Sequence, residues 1–176
     1  MKRRNAIGAV LVAVLALGAG MYAFAAPRAG AARTSNTITP VTMTISATGQ
    51  KQGAITGKTP LPLLSVSHEI ISPRDPASGL PTGKRQHKPL VVTMELGPTT
   101  PKFLTALVNN ENLPTVQIGL LRSGTPVATI KLTNANVSHY VLSDQTVQFD
   151  FVYQKITWTW LAGGITAQDD WEATVG

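Results

Sequence analysis

Between Val41 and Ser46 the side chains alternate, with Val41, Met43 and Ile45 apolar and Thr42, Thr44 and Ser46 polar. A repeat of two sends each set to one face of an extended chain, the mark of a half-buried strand. The pattern returns with Leu64, Val66 and Ile70 against Ser65, Ser67 and Glu69, and again with Leu90, Val92, Met94 and Leu96 against Val91, Thr93 and Glu95. Then the period changes. In GPTTPKFLTALVNNEN, Thr99 or Thr100 can cap a helix and Pro101 suits its first position. Phe103, Leu104, Leu107 and Val108 make one apolar stripe, and Asn109 and Asn110 stop it, which predicts a single helix over about residues 100–109.

Strands resume with Val116, Ile118 and Leu120, and the RSGTP that follows suits a hairpin turn. Ala128, Ile130 and Leu132 alternate next, then Val137, His139 and Val141 beyond Asn134-Ala135-Asn136. The last long segment places Val147, Phe149, Phe151 and Tyr153 on one face, but from Ile156 the large apolar residues move to even positions, Ile156, Trp158 and Trp160. A strand cannot change its buried face without an irregularity, so a β-bulge or corner is expected near Gln154 and Lys155. About seven short strands, one helix and turn-rich links read as a mainly β fold, a small barrel or a two-sheet sandwich.

Composition narrows the picture little beyond this. A chain of 176 residues has room for one core, and the absence of cysteine removes disulfides and thiolate chemistry. The net charge of +6 suggests a polyanion partner until its location is considered, because Lys2, Arg3 and Arg4 supply half of it. The remaining basic residues do not interleave with aromatics, which argues against nucleic acid.

Those three cations open the N-terminus and are followed by an apolar run from Ala6 to Ala26 and the small-residue triplet Ala23-Phe24-Ala25. This is the order of a secretory signal peptide, residues 1–25, with cleavage after Ala25. An uncleaved membrane anchor with the folded part outside is the competing reading, since roughly 20 apolar residues can span a bilayer. Residues 26–37, which include PRAGAARTSNT, lack periodicity and large apolar groups and are expected to form a flexible leader, leaving 38–176 as the folded domain.

Three stretches, taken in order, carry a resemblance. HKPLVVTMELGPTTPKFLTALVNNENLPTVQIGLLR from His87 to Arg122, IKLTNANVSHYVL from Ile130 to Leu142 and FVYQKITWTW from Phe151 to Trp160 resemble the haemolysin-coregulated protein (Hcp) family, the tube component of type VI secretion systems. With SPRDPASGLPTGKRQH the similarity spans roughly residues 38–172. The resemblance implies an Hcp-like β-barrel of two sheets with one flanking helix, assembling as a hexameric ring, with rings able to stack into a tube or carry effectors. It implies no catalytic residues and no cofactor. The chain departs from the family pattern at Met94 and Gly97, where a basic and an acidic residue are usual, at Gly57-Lys58 in place of Gly-His, and in its apolar N-terminal run.

SPRDPASGLPTGKRQHK, from Ser72 to Lys88, holds three prolines, two glycines and the cations Lys84, Arg85 and Lys88 around His87. A connection of this length is expected to be functional or disordered, and its Pro and Gly content argues for a defined shape. Arg74, Asp75, Lys84, Arg85, His87 and Lys88 are therefore candidate subunit-contact residues, together with Trp158, Trp160, Asp169, Asp170 and Trp171 near the C-terminus. The basic group would meet the acidic tail residues of a neighbouring copy, with other secretion-system proteins as further partners. The bland alternative is a solvated connection whose charges protect a sheet edge. His68-Glu69 lacks a second histidine four residues on, and His87 and His139 have no zinc or nucleophile spacing, so neither metal nor catalysis is expected. A monomeric extracellular binding module on the same fold is the alternative to self-assembly.

Overall fold

The computed structural model describes residues 41–172; the signal-peptide and leader readings fall outside the described residues. In chain order the elements are β1 (Val41–Gly49), β2 (Gly53–Ala54), β3 (Leu61–Leu63), β4 (Ser65–Ser67), β5 (Ile70–Ile71), β6 (Gln86–His87), β7 (Leu90–Glu95), α1 (Thr100–Val108), β8 (Leu113–Arg122), β9 (Thr125–Ser143), β10 (Thr146–Trp160) and β11 (Ile165–Asp170). The main sheet is antiparallel and runs β2-β1-β8-β9-β10-β7-β4, with β3 added to β1 and β11 to β10. The fold is mainly β, as expected. Its hydrogen-bonded path is open, ending at the short strands β2 and β4, so the sandwich alternative describes it and the closed barrel does not.

Openness follows from how the chain crosses between the two ends. The sequence pattern predicts one strand through Leu64, Val66 and Ile70. Instead, Leu61–Leu63 pairs with β1 and Ser65–Ser67 with β7, and Leu64 lies between, 52% exposed, its amide donating to the Thr93 carbonyl at 2.8 Å. The alternation there reflects a strap that changes partner. Leu63, not Leu64, enters the core.

The corner expected near Gln154 is present, but its construction differs from a bulge. The ladder runs Leu113↔Ala135 then Thr115↔Thr133, and Tyr153↔Ala135 then Lys155↔Thr133, so Pro114, Asn134 and Gln154 are skipped in one row without any shift of register. Buried positions change parity there in all three strands: Leu113 to Val116, Ala135 to Leu132, Tyr153 to Ile156. Pro114 has no N–H to contribute, Asn134 takes the left-handed conformation (φ 50°), and the Asn134 Nδ2 donates to Gln154 Oε1 at 2.7 Å. Three neighbouring strands thus bend together, which lets one sheet supply both layers of a sandwich.

A true register shift occurs elsewhere, between Asp150 and Phe151, where Ser138 is an extra residue in β9 and its hydroxyl donates to the Asp150 carbonyl. This overturns the expected inward row of Val137, His139 and Val141. After the bulge Tyr140 turns inward against Phe149, while His139 and Val141 face outward. The two segments expected on either side of Asn134-Ala135-Asn136 are one bent strand of 19 residues.

Helix α1 begins and ends where the sequence placed it, although Thr99 caps it without a side-chain hydrogen bond. Its buried residues are Thr100, Phe103 and Ala106, not the Leu104 and Val108 edge of the expected stripe; Val108 is 74% exposed. Phe103 sets this rotation by packing at a tilt on Phe149 (5.1 Å, 40°) and meeting Phe151 edge-on (6.0 Å, 77°). The C-terminus closes as a Schellman motif. Asn110 is left-handed (φ 46°), its amide donates to the Leu107 carbonyl and that of Glu111 to the Ala106 carbonyl.

Candidate functional site

The loop from Ser72 to Lys88 is built in two stages. Its outer part is a self-supporting hairpin: Arg74 pairs with Pro81, and the Asp75 carboxylate accepts from the Ala77 amide, the Ser78 amide and the Ser78 hydroxyl at 2.7–3.0 Å. Those Ser78 bonds hold the Asp75 carboxyl below its ordinary value. Arg74 Nη1 donates to the Gly79 carbonyl, and Gly79 is left-handed (φ 70°), a conformation that disfavours a side chain. Arg74 and Asp75 therefore shape the loop first. Its tip offers Leu80, 65% exposed.

The base of the loop is a two-residue ladder, Ile70↔His87 and Ile71↔Gln86. This places His87 beside Tyr153 of β10 and Asp169 of β11. The His87 Nε2 lies 2.7 Å from Asp169 Oδ2, its Nδ1 2.9 Å from the Tyr153 hydroxyl, and that hydroxyl is 2.5 Å from His68 Nε2. Arg85 donates through Nε to the same Asp169 oxygen and through Nη2 to the Asp170 carbonyl. Five residues from four segments form one hydrogen-bonded chain.

Chemistry orders its protons. Hydrogen bonding to Arg85, opposed by burial and aided by His87, holds the Asp169 carboxyl low, so Asp169 only accepts. In the tautomer that carries its proton on Nε2, His87 donates to Asp169 and accepts at Nδ1 from Tyr153, whose proton is secured because burial, with the Asp169 charge, pushes its pKa up to about 12. The Tyr153 oxygen then accepts from His68. Burial and the nearby His87 lower the pKa of His68, which favours its neutral form. The direction His68 to Tyr153 to His87 to Asp169 satisfies every link.

The sequence reading paired the basic loop with the acidic tail of another copy. Here Arg85 and His87 meet Asp169 and Asp170 of the same chain, while Lys84 and Lys88 stand exposed without a carboxylate partner among the described residues. Trp158 packs against the core and lies 5.8 Å from the His68 ring; Trp160 and Trp171 are 44% and 61% exposed. Beside the relay, His87, Lys88, Pro89, Val152, Tyr153 and Trp171 wall a cleft of about 160 Å³. Sequence reasoning missed Tyr153 as a polar partner because its phenol ends an apolar row. It also missed Glu111, which is 2% exposed and accepts from the Lys51 amide (2.6 Å), the Gln52 amide (2.8 Å) and Gln52 Nε2 (2.8 Å). Among the described residues no group of three or more His, Asp or Glu could hold a metal ion.

Residues 46–160 match the family described as type VI secretion system effector, Hcp. The chain is 34% identical over 170 residues to the "Major exported protein" of Pseudomonas aeruginosa, a match covering 78% of this chain and 98% of that protein. Among solved structures it is similar to one described as "Crystal structure of Hcp protein" (26% identity, TM-score 0.69, 74% of this chain and 99% of that one). It is also similar to the secreted protein Hcp3 from Pseudomonas aeruginosa (28% identity, TM-score 0.64, 76% and 100%).

Proposed function

We propose a self-assembling role for this chain, which belongs to the Hcp family of type VI secretion proteins: it is exported and forms a ring of like subunits, six by analogy with the family pattern. The observation that carries this reading is strand β11: among the described residues it pairs with no strand but β10, and on its other edge only the Asp170 carbonyl is taken, by Arg85. An open edge presents backbone donors and acceptors that a neighbouring subunit can satisfy. Around it stand the exposed groups Lys84, Lys88 and Trp171, while Arg85, His87 and Asp169 hold loop and strand in position for the contact. Arg74, Asp75, Trp158, Trp160 and Asp170 complete the proposed contact set. The name of the exported relative supports export of this chain; in this reading residues 1–25 are the export signal, 26–37 the leader and 38–176 the ring-forming domain.

Light scattering and native mass measurement on the secreted protein test this reading. A mass of several subunits, lowered by Trp171→Ala with Lys88→Glu, is the expected result; a concentration-independent monomer overturns it. A monomeric binding module is the second reading. It draws on the internal pairing of Arg85 with Asp169, which uses within one chain charges that could have bridged two.

A further inference from the structure

The buried row of β10 does not end with the core. It continues from Ile156, fully buried, through the partly covered Trp158 to Trp160, 44% exposed, with Leu161 at 44% and Ile165, the cross-strand partner of Trp160, at 69%. The apolar face thus overhangs the sandwich as a hairpin tip. Its residues from Thr157 to Gln168 include no charged side chain. Adjacent to it in the ladder is the β8–β9 turn, whose left-handed Ser123 and Gly124 follow Arg122; the Leu161 amide donates to the Val127 carbonyl, and Arg122 pairs with Val41.

The surroundings of this tip are one-sided in charge. No Asp or Glu occurs between Val41 and His68, between Asn112 and Ser143, or between Phe151 and Gln168. Between Asn112 and Ser143 and between Phe151 and Gln168 the charged side chains are the cations Arg122, Lys131 and Lys155, and the last two lie behind the tip in the rows of Thr157 and Thr133. Along β11 the first carboxylate is Asp169, four residues from Ile165 and so roughly 13 Å along the strand. An exposed Trp with aliphatic neighbours, backed by cations and free of acids, is the arrangement that settles into the interfacial zone of an anionic bilayer.

Where the chain enters the domain points the same way. Val41, the first described residue, is paired with Arg122 at this end of the sheet. Fourteen residues separate it from Ala26, the end of the apolar run, and even fully extended they reach at most about 50 Å. We infer that the tip formed by Trp160, Leu161 and Ile165 is a lipid-contact surface that seats the folded domain on the outer face of an anionic membrane when the N-terminal run stays in the chain. Trp160 then meets lipid in place of a neighbouring subunit, and the other proposed subunit contacts are unaffected.

The full chain, reconstituted into phosphatidylcholine vesicles with and without phosphatidylglycerol and with brominated acyl chains, provides the test. In the Trp158→Phe/Trp171→Phe variant Trp160 is the sole tryptophan, and in Trp158→Phe/Trp160→Phe only Trp171 remains. Emission of Trp160 is expected to shift to the blue and to be quenched at least about twofold more than that of Trp171, more so with phosphatidylglycerol. Adding Leu161→Asp and Ile165→Asp, both exposed and outside the core, should bring Trp160 quenching down to the Trp171 level. Equal quenching of the two tryptophans overturns the inference. So does a blue shift of Trp160 that needs no lipid and grows with protein concentration, because a second copy then covers the tip.

Discussion

Removing the Glu111 carboxylate is the sharpest perturbation of this fold. Glu111 follows the Schellman turn of α1, and its side chain is clamped by the β1–β2 turn through the Lys51 and Gln52 amides and the Gln52 amide group. Burial pushes its carboxyl up, but the Gln52 and Lys51 bonds outweigh burial and hold it below its ordinary 4.5. In Glu111→Gln one oxygen remains for the two backbone amides, without its charge, while the new NH2 opposes the Gln52 donor and that bond is lost, costing about 1.5–3 kcal/mol. Glu111→Ala leaves two backbone amides without their partner and should cost more, about 3–5 kcal/mol. For a domain of this size that is a fall in Tm of roughly 10 °C or more for the alanine variant, measured by calorimetry at one protein concentration. The carboxylate's contribution is present above the unfolded-state pKa and disappears as pH falls through the lower folded value, so wild type should lose stability below about pH 4.5 and Glu111→Gln should lose less. A Tm within 2 °C of wild type for Glu111→Ala, by ~0.5 kcal/mol or less, would refute the clamp.

The remaining predictions concern the same two devices. A methyl group on Gly49 would stand 2.5 Å from Glu111 Oε1, so Gly49→Ala should cost about 1–3 kcal/mol in wild type and markedly less in Glu111→Ala, a coupling read by a double-mutant cycle. Tyr153→Phe removes the hydroxyl between His68 and His87 and should cost about 1–2 kcal/mol, with hydrogen exchange rising in residues 68–88 and 165–170 before the rest of the sheet; uniform protection would argue against the relay. Because His68 titrates below 6.5 in the fold, the unfolded chain takes up a proton first as pH drops through 6.5, and stability falls with it. His68→Gln should flatten that slope between pH 6.5 and 5 in urea titrations, and an unchanged slope would count against His68 as its source.

Period and turn chemistry, read locally, determined much of this protein. Alternation marked the rows of β1, β7 and β10, Pro101 and the Asn109-Asn110 stop bounded the helix, and the parity change at Tyr153 announced the corner. Ordered motifs pointed to the family as well. What alternation encodes is a face, not a partner, and that is where it stopped. The strap through Leu64 and the bulge at Ser138 depend on which strand lies alongside, so their sequence patterns misled. Glu111 sits next to Lys51 and Gln52, some 60 positions away, and His68, Arg85, His87, Tyr153 and Asp169 are linked across 66–85 positions, only because the ladder aligns their rows. Desolvation and hydrogen bonding, which change the proton affinity of these groups, come from that convergence; they are properties of the packed sheet and not of any stretch of chain.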